Sequence, residues 1–163
     1  MEILVIYDSF FGSTEKVAQA ISQAVTPGNT VVTKRVSQVE AADLQKLDLL
    51  FLGSPTRGFR PSEDTQAFLK RLGAGDLAGM SAAVFDTRID PEDIKSGFLR
   101  FIVKKGGYAI KAMAQALTKK GAGLVDAGEG FFVLGSEGPL REGELDRVAD
   151  WAKGVLAELK KSA

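Results

Sequence analysis

The stretch that decides the fold is residues 3–15, which read ILVIYDSFFGSTE. It opens with a short apolar run, continues through small and hydroxyl-bearing residues, and leads into residues with helical spacing. A parallel strand buried on both faces has such a continuous apolar run. The stretch therefore predicts a buried strand from Ile3 to Tyr7, a tight loop, and a helix from Thr14 to Val25.

Further along the chain, short apolar runs alternate with amphipathic segments, which indicates a parallel sheet with helices on both faces. The other predicted strands are Val31 to Val36, Leu49 to Leu52, Ala82 to Phe85 and Phe131 to Leu134. The other predicted helices are Glu63 to Leu72, Tyr108 to Lys120 and Glu142 to Lys161. Polar residues interrupt the second strand, so we place it at an edge of the sheet. With right-handed crossovers, we expect one α/β domain over residues 1–163, with a doubly wound five-stranded parallel sheet of order 2-1-3-4-5.

The connection from Ile89 to Gly107 is longer than this pattern usually allows. Its apolar residues predict a short packed helix; they are Phe98, Leu99, Phe101, Ile102 and Val103. A surface insertion and a lid over a site are both compatible with this segment.

Composition removes several classes of chemistry. The chain has no Cys and no His, which excludes thiol nucleophiles, iron–sulfur clusters, His-based triads and most zinc sites. Redox chemistry would therefore need a bound cofactor. Basic and acidic residues balance at 21 each, so the net charge gives no reason to expect nucleic acid as a partner. The opening apolar run is too short for a signal peptide or a membrane span, and we expect a cytoplasmic protein.

The loop after the first strand has the composition of a phosphate site. The hydroxyls of Ser9, Ser13 and Thr14 can donate hydrogen bonds, and Gly12 lets the backbone approach a ligand closely. Free N–H groups at the start of the following helix also favour an anion. Residues 1–15 contain no Lys or Arg, which favours a monophosphate over a triphosphate with magnesium. The alternative is that Ser13 or Thr14 only caps the helix.

Three loops resemble those of the flavodoxin family. They are Ser9-Phe10-Phe11-Gly12-Ser13-Thr14-Glu15 after the first strand, Gly53-Ser54-Pro55-Thr56-Arg57-Gly58-Phe59 after the third, and Phe85-Asp86-Thr87-Arg88 after the fourth. The resemblance implies a flavodoxin-like fold that holds FMN noncovalently, with the phosphate in the first loop and the isoalloxazine ring between the other two. The implied FMN-binding residues are Ser9, Phe10, Phe11, Gly12, Ser13, Thr14, Pro55, Thr56, Arg57, Gly58, Phe59, Asp86, Thr87 and Arg88.

The resemblance also implies a function, namely electron transport between a reductase and an acceptor protein. From the composition and the short apolar run we expect no metal, nucleic acid or membrane span to be involved. Gly58 would then turn its peptide towards flavin N5 when that atom becomes protonated; the alternative is a simple turn before Pro61.

Two features depart from the family. The only Trp, Trp151, lies on the last predicted helix, so we expect it to pack there and not on the flavin. Arg57, Arg60 and Arg88 would bring positive charge near the ring and raise its reduction potential. The alternative is that these arginines pair with carboxylates, which we favour for Arg60.

Two other functions remain open. One is an NAD(P)H-dependent FMN or quinone reductase of related fold, although Gly121-Ala122-Gly123 does not continue as a GxGxxG motif. The other is a flavodoxin-fold module that no longer binds flavin, which the lack of a clear aromatic sandwich would support. A phosphorylated receiver domain is excluded because Leu52-Gly53-Ser54-Pro55 offers no phosphoacceptor Asp. A serine hydrolase is excluded because the chain has no His to act as a base.

Overall fold

A parallel sheet forms the centre of the protein in the computed structural model, which describes residues 1–162. The strands are β1 (Glu2–Tyr7), β2 (Thr30–Arg35), β3 (Leu49–Pro55), β4 (Ser81–Ile89), β5 (Gly123–Leu124) and β6 (Glu129–Val133). The α-helices are α1 (Ser13–Val25), α2 (Glu63–Arg71), α3 (Gly97–Gly106), α4 (Ala109–Lys119) and α5 (Glu144–Ser162). The order β2-β1-β3-β4-β5 confirms the predicted topology, with β2 at an edge.

The fifth position of the sheet differs from the prediction, because two short strands share it. β5 pairs with the start of β4, where Gly123 lies opposite Ser81, and β6 pairs with its end, where Val133 lies opposite Ile89. Residues 125–128 form a loop between the two strands. The predicted count of five strands is therefore wrong by one. β5 has only two residues and both are exposed, so no apolar run in the sequence predicts this strand.

An apolar core lies on each face of the sheet. Because side chains alternate along a strand, Leu4 and Ile6 face one core while Ile3 and Val5 face the other. Helices α2 and α4 cover the first core, and α1 and α5 cover the second. Full burial of an aliphatic side chain of this kind contributes about 1.5–3 kcal/mol.

Trp151 packs into the second core, as the sequence predicts. Its ring meets those of Phe51, Phe85 and Phe131 edge-on, at centroid distances of 5.7, 6.3 and 5.7 Å. Its indole N–H donates to Asp126 Oδ2 at 2.6 Å. Trp151 is therefore part of the core on the second face of the sheet.

The long insertion does contain a helix, α3, but that helix is not packed as predicted. Phe98, Leu99 and Phe101 are 72%, 53% and 60% exposed. The charged residues Arg100 and Lys104 instead pair with Glu92. Helical periodicity identified the element, but it could not show which face would meet the protein.

No helix within residues 1–162 is long and apolar enough to cross a membrane.

Candidate functional site

A cavity of about 320 Å³ opens where the loops after β1 and β3 meet the end of β4. In open α/β sheets, ligands bind at this edge, beside the point where the strand order reverses. Most of the predicted residues line the cavity, namely Ser9, Phe10, Phe11, Ser13, Thr14, Pro55, Thr56, Arg57, Gly58, Thr87 and Arg88. Gly12, Phe59 and Asp86 belong to the same three predicted segments but are not part of the cavity lining.

The loop after β1 leaves the start of α1 without a side-chain cap. Gly12 precedes the helix with φ 91°, in the left-handed region that favours glycine. Ser9 Oγ accepts a hydrogen bond from the Gly12 N–H at 3.0 Å, and no side chain caps the helix. The structure therefore differs from the alternative in which Ser13 or Thr14 serves only as a cap. Free N–H groups and hydroxyls lie together at this wall, which suits an anion.

Two polar contacts hold this loop in place. Thr14 Oγ1 and Thr87 Oγ1 lie 2.8 Å apart and join the first loop to the end of β4. On the other side, Arg35 Nη1 donates to the Ser9 carbonyl at 2.9 Å and lies 3.3 Å from Asp8 Oδ1. Arg35 comes from β2, and the sequence analysis did not consider it.

The loop after β3 ends in a tight turn. The backbone N–H groups of Arg57 and Arg60 donate to each other's carbonyl oxygens at 2.9 and 3.0 Å. The central residues, Gly58 and Phe59, have φ values of 51° and 67°, as in the mirror-image turns of β-hairpins. Gly58 accepts this conformation readily, whereas it costs Phe59 energy because of its Cβ.

Arg57 connects the first and second loops. Its guanidinium carbon lies 4.7 Å from the Phe10 ring centroid and 5.4 Å from that of Phe11. Arg60 forms no ion pair with any residue that the structure describes. The expectation that Arg60 pairs with a surface carboxylate is therefore wrong.

The third predicted loop, Phe85-Asp86-Thr87-Arg88, is instead the end of strand β4, because it pairs with β3 on one side and β6 on the other, and it contains a buried ion pair. Asp86 is fully buried, and its carboxylate accepts hydrogen bonds from Arg88 Nε at 2.6 Å and Arg88 Nη2 at 2.8 Å. The Thr56 hydroxyl also donates to Asp86, at 2.8 Å. Burial raises the pKa of Asp86, and the hydrogen bonds and charge of Arg88 oppose that rise. Arg88 in turn lies over the Tyr108 ring, 3.6 Å from its centroid.

One wall of the cavity was missed by the sequence analysis. It is formed by the end of β4, the end of β6 and the loop that follows, through Ile89, Val133, Ser136, Glu137 and Gly138. A Cβ at Gly138 would lie 2.6 Å from Ser13 Oγ, so glycine allows this loop to approach the first one. In the sequence, the only indication that this loop could line the site was its position directly after the fifth predicted strand.

No cluster of three or more potential metal ligands occurs in the described part of the chain.

Comparison with known proteins identifies the family. The sequence profile of the flavodoxin family matches residues 5–87, which contain the first two loops and Asp86 and Thr87 of the third. No curated protein sequence matches the chain.

Several solved structures share the fold. A flavodoxin from the domain Archaea is 17% identical with a TM-score of 0.77, and covers 98% of this chain and 99% of its own. Flavodoxin 2 from Bacillus cereus is 24% identical with a TM-score of 0.75, and covers 97% and 99%. Rubredoxin oxygen:oxidoreductase from Desulfovibrio gigas is 18% identical with a TM-score of 0.72, and covers 98% of this chain but only 36% of its own. Since the family profile spans half of the sequence and the sheet has the matching order, this chain belongs to the flavodoxin family.

Proposed function

We propose that the protein binds FMN noncovalently in the cavity and carries electrons between a reductase and an acceptor protein. One observation carries this proposal: the uncapped start of α1, the loop after β3 and the end of β4 surround a single cavity, in a member of the flavodoxin family. FMN supplies the electron chemistry, and the chain supplies the binding site.

The first loop fits the phosphate of FMN. Ser9, Ser13 and Thr14 line the cavity beside the free N–H groups of α1. A phosphate held there meets neutral donors and the positive end of the helix dipole. Ser13 has the clearest role, because Thr14 already shares its hydroxyl with Thr87.

The second and third loops fit the ring. Pro55 to Gly58 and Thr87 to Arg88 line the same cavity as the phosphate loop, so a ring held there would lie between them. The aromatic residues in the lining are Phe10 and Phe11. Trp151 packs in the core against Phe51, and the Tyr108 ring is covered by the Arg88 guanidinium. An isoalloxazine ring in this site would therefore contact peptide and guanidinium groups instead of lying between a Trp and a Tyr side chain.

The test is a titration of the purified protein with FMN and with riboflavin, followed by absorption between about 300 and 600 nm, where flavins absorb. We expect FMN to bind more tightly than riboflavin, because only FMN carries the phosphate. Ser13→Ala should weaken FMN binding about 10- to 100-fold, since a hydrogen bond to a charged group is worth about 1.5–3 kcal/mol. The same variant should leave riboflavin binding unchanged.

Ser22→Ala is the matched control, because Ser22 lies on the same helix away from the cavity. Failure of the wild-type protein to bind FMN would reject the proposal and leave a flavodoxin-fold module without flavin. Bleaching of bound FMN by NADPH without an added reductase would instead indicate the reductase alternative.

A further inference from the structure

Asp86 lies beneath the cavity wall, with no exposed surface. Its carboxylate accepts hydrogen bonds from Arg88 and from the Thr56 hydroxyl, and the backbone N–H of Ile110 also lowers its pKa. Thr56 Oγ1 itself accepts from the Ala109 N–H at 3.0 Å, so its own hydrogen points to Asp86. These donors favour the ionised form of the carboxyl group, and they oppose the rise in its pKa that burial causes.

Arg88 is held on three sides. Asp86 binds its Nε and Nη2 atoms, and the Tyr108 ring lies 3.6 Å from its guanidinium carbon. On the third side, a Cβ at Gly130 would lie only 2.4 Å from Arg88 Cζ, so the backbone of β6 closes against it. Its Nη1 atom donates to no acceptor within residues 1–162, although Arg88 lines the cavity.

We infer that Asp86 is a positioning residue, which fixes Arg88 and Thr56 at the cavity wall and cancels the charge of Arg88. Bound FMN would then meet directed N–H donors of Arg88 and no net positive charge from this residue. This inference rests on the proposed FMN binding. It replaces the expectation of an uncompensated Arg88 charge, because opposite charges 2.6–2.8 Å apart act at longer range as a dipole.

Asp86→Asn tests the cancelled charge, because it keeps the shape of the side chain and removes its charge. The uncompensated Arg88 should then favour the anionic, fully reduced flavin. We expect the last one-electron step to shift towards reduction about tenfold, or about 59 mV. In an effective dielectric of about 20, a unit charge within about 10 Å gives a shift of at least this order. No shift would overturn the inference.

The double variant Asp86→Asn/Arg88→Gln removes both charges and is the matched control. Its equilibrium should return to the wild-type value. A shift of about tenfold towards the oxidised flavin would instead mean that Arg88 is uncompensated in the wild type, and would overturn the inference. The double variant remains a test if Asp86→Asn alone does not fold, because the two amide side chains that it introduces can still form a hydrogen bond with each other.

A second readout needs no flavin. In the flavin-free protein, the Arg88 Nε–H should exchange slowly with water in ¹⁵N NMR spectra, because Asp86 holds it in a buried hydrogen bond. Arg57 is the internal reference, since its side chain is exposed. Exchange of Arg88 as fast as Arg57 would overturn the positioning role. Slow exchange together with no FMN binding would reject the proposed function alone.

Discussion

Gly53 is the position in the sheet where an added methyl group has least space. A Cβ there would lie 2.0, 2.1 and 2.6 Å from three atoms of the Phe85 ring, whereas carbon atoms pack at about 3.5–4.0 Å. Phe85 is fully buried and packs against Trp151, so its ring has no free space into which it can move. We therefore expect Gly53→Ala to lower the free energy of unfolding by about 3 kcal/mol, at the upper end of overpacking costs.

The assay is urea unfolding followed by circular dichroism, supported by a fall in melting temperature of about 6–12 °C. Gly154→Ala is the control, because Gly154 lies in α5 with no atom within 4 Å of the added Cβ. That variant should gain about 0.5–1 kcal/mol from better helix propensity. Adding Phe85→Leu to Gly53→Ala should recover at least about 1 kcal/mol relative to additivity. A Gly53→Ala variant as stable as the wild type would refute this account of the β3–β4 packing.

Two further predictions concern residues next in sequence to the cavity lining, Phe59 beside Gly58 and Asp90 beside Ile89. Phe59→Asn should raise the free energy of unfolding by about 1 kcal/mol in urea, because Asn tolerates the left-handed conformation that strains Phe59. No gain would mean that contacts of the Phe59 ring offset the strain. The Glu92 N–H and Arg141 hold the pKa of Asp90 below its usual value. The stability that these two contacts give to the folded protein is therefore present above the pKa of about 3.9 that Asp90 has in the unfolded chain. It is lost as the pH falls through the lower pKa of Asp90 in the folded protein. Asp90→Asn should cost less than about 1 kcal/mol at neutral pH and nothing in strong acid, as acid unfolding curves would show.

Most of the fold could be predicted because its signals are local. The buried strands β1, β3 and β4 are continuous apolar runs, and the order of the sheet follows from right-handed crossovers. Where the signal was weak, the prediction failed. β5 has two exposed residues with no apolar run, and α3 has a helical period but turns Phe98 and Phe101 outwards.

The loops that line the cavity could be predicted from their composition, but their polar contacts could not. Thr14 and Thr87 are 73 residues apart in sequence, and Thr56 and Asp86 are 30 apart. Nothing in either segment specifies its partner, since Ser and Thr hydroxyls bond to many groups. The wall around Ser136 was missed for a related reason, because its contact with Ser13 depends on the path of the whole fifth position of the sheet.

The arginines near the cavity divide into two electrostatic classes. Arg88 is neutralised by a buried carboxylate, so its charge has little reach at longer distances. Arg57 has no carboxylate within ion-pair distance in the structure described and lies against the exposed rings of Phe10 and Phe11. An aromatic ring orients a cation but does not cancel its charge. Any long-range attraction of this region for an acidic partner therefore comes from Arg57 and Arg60, which is also without an ion pair in the structure described, and not from Arg88. Added salt would screen it because both arginines are exposed.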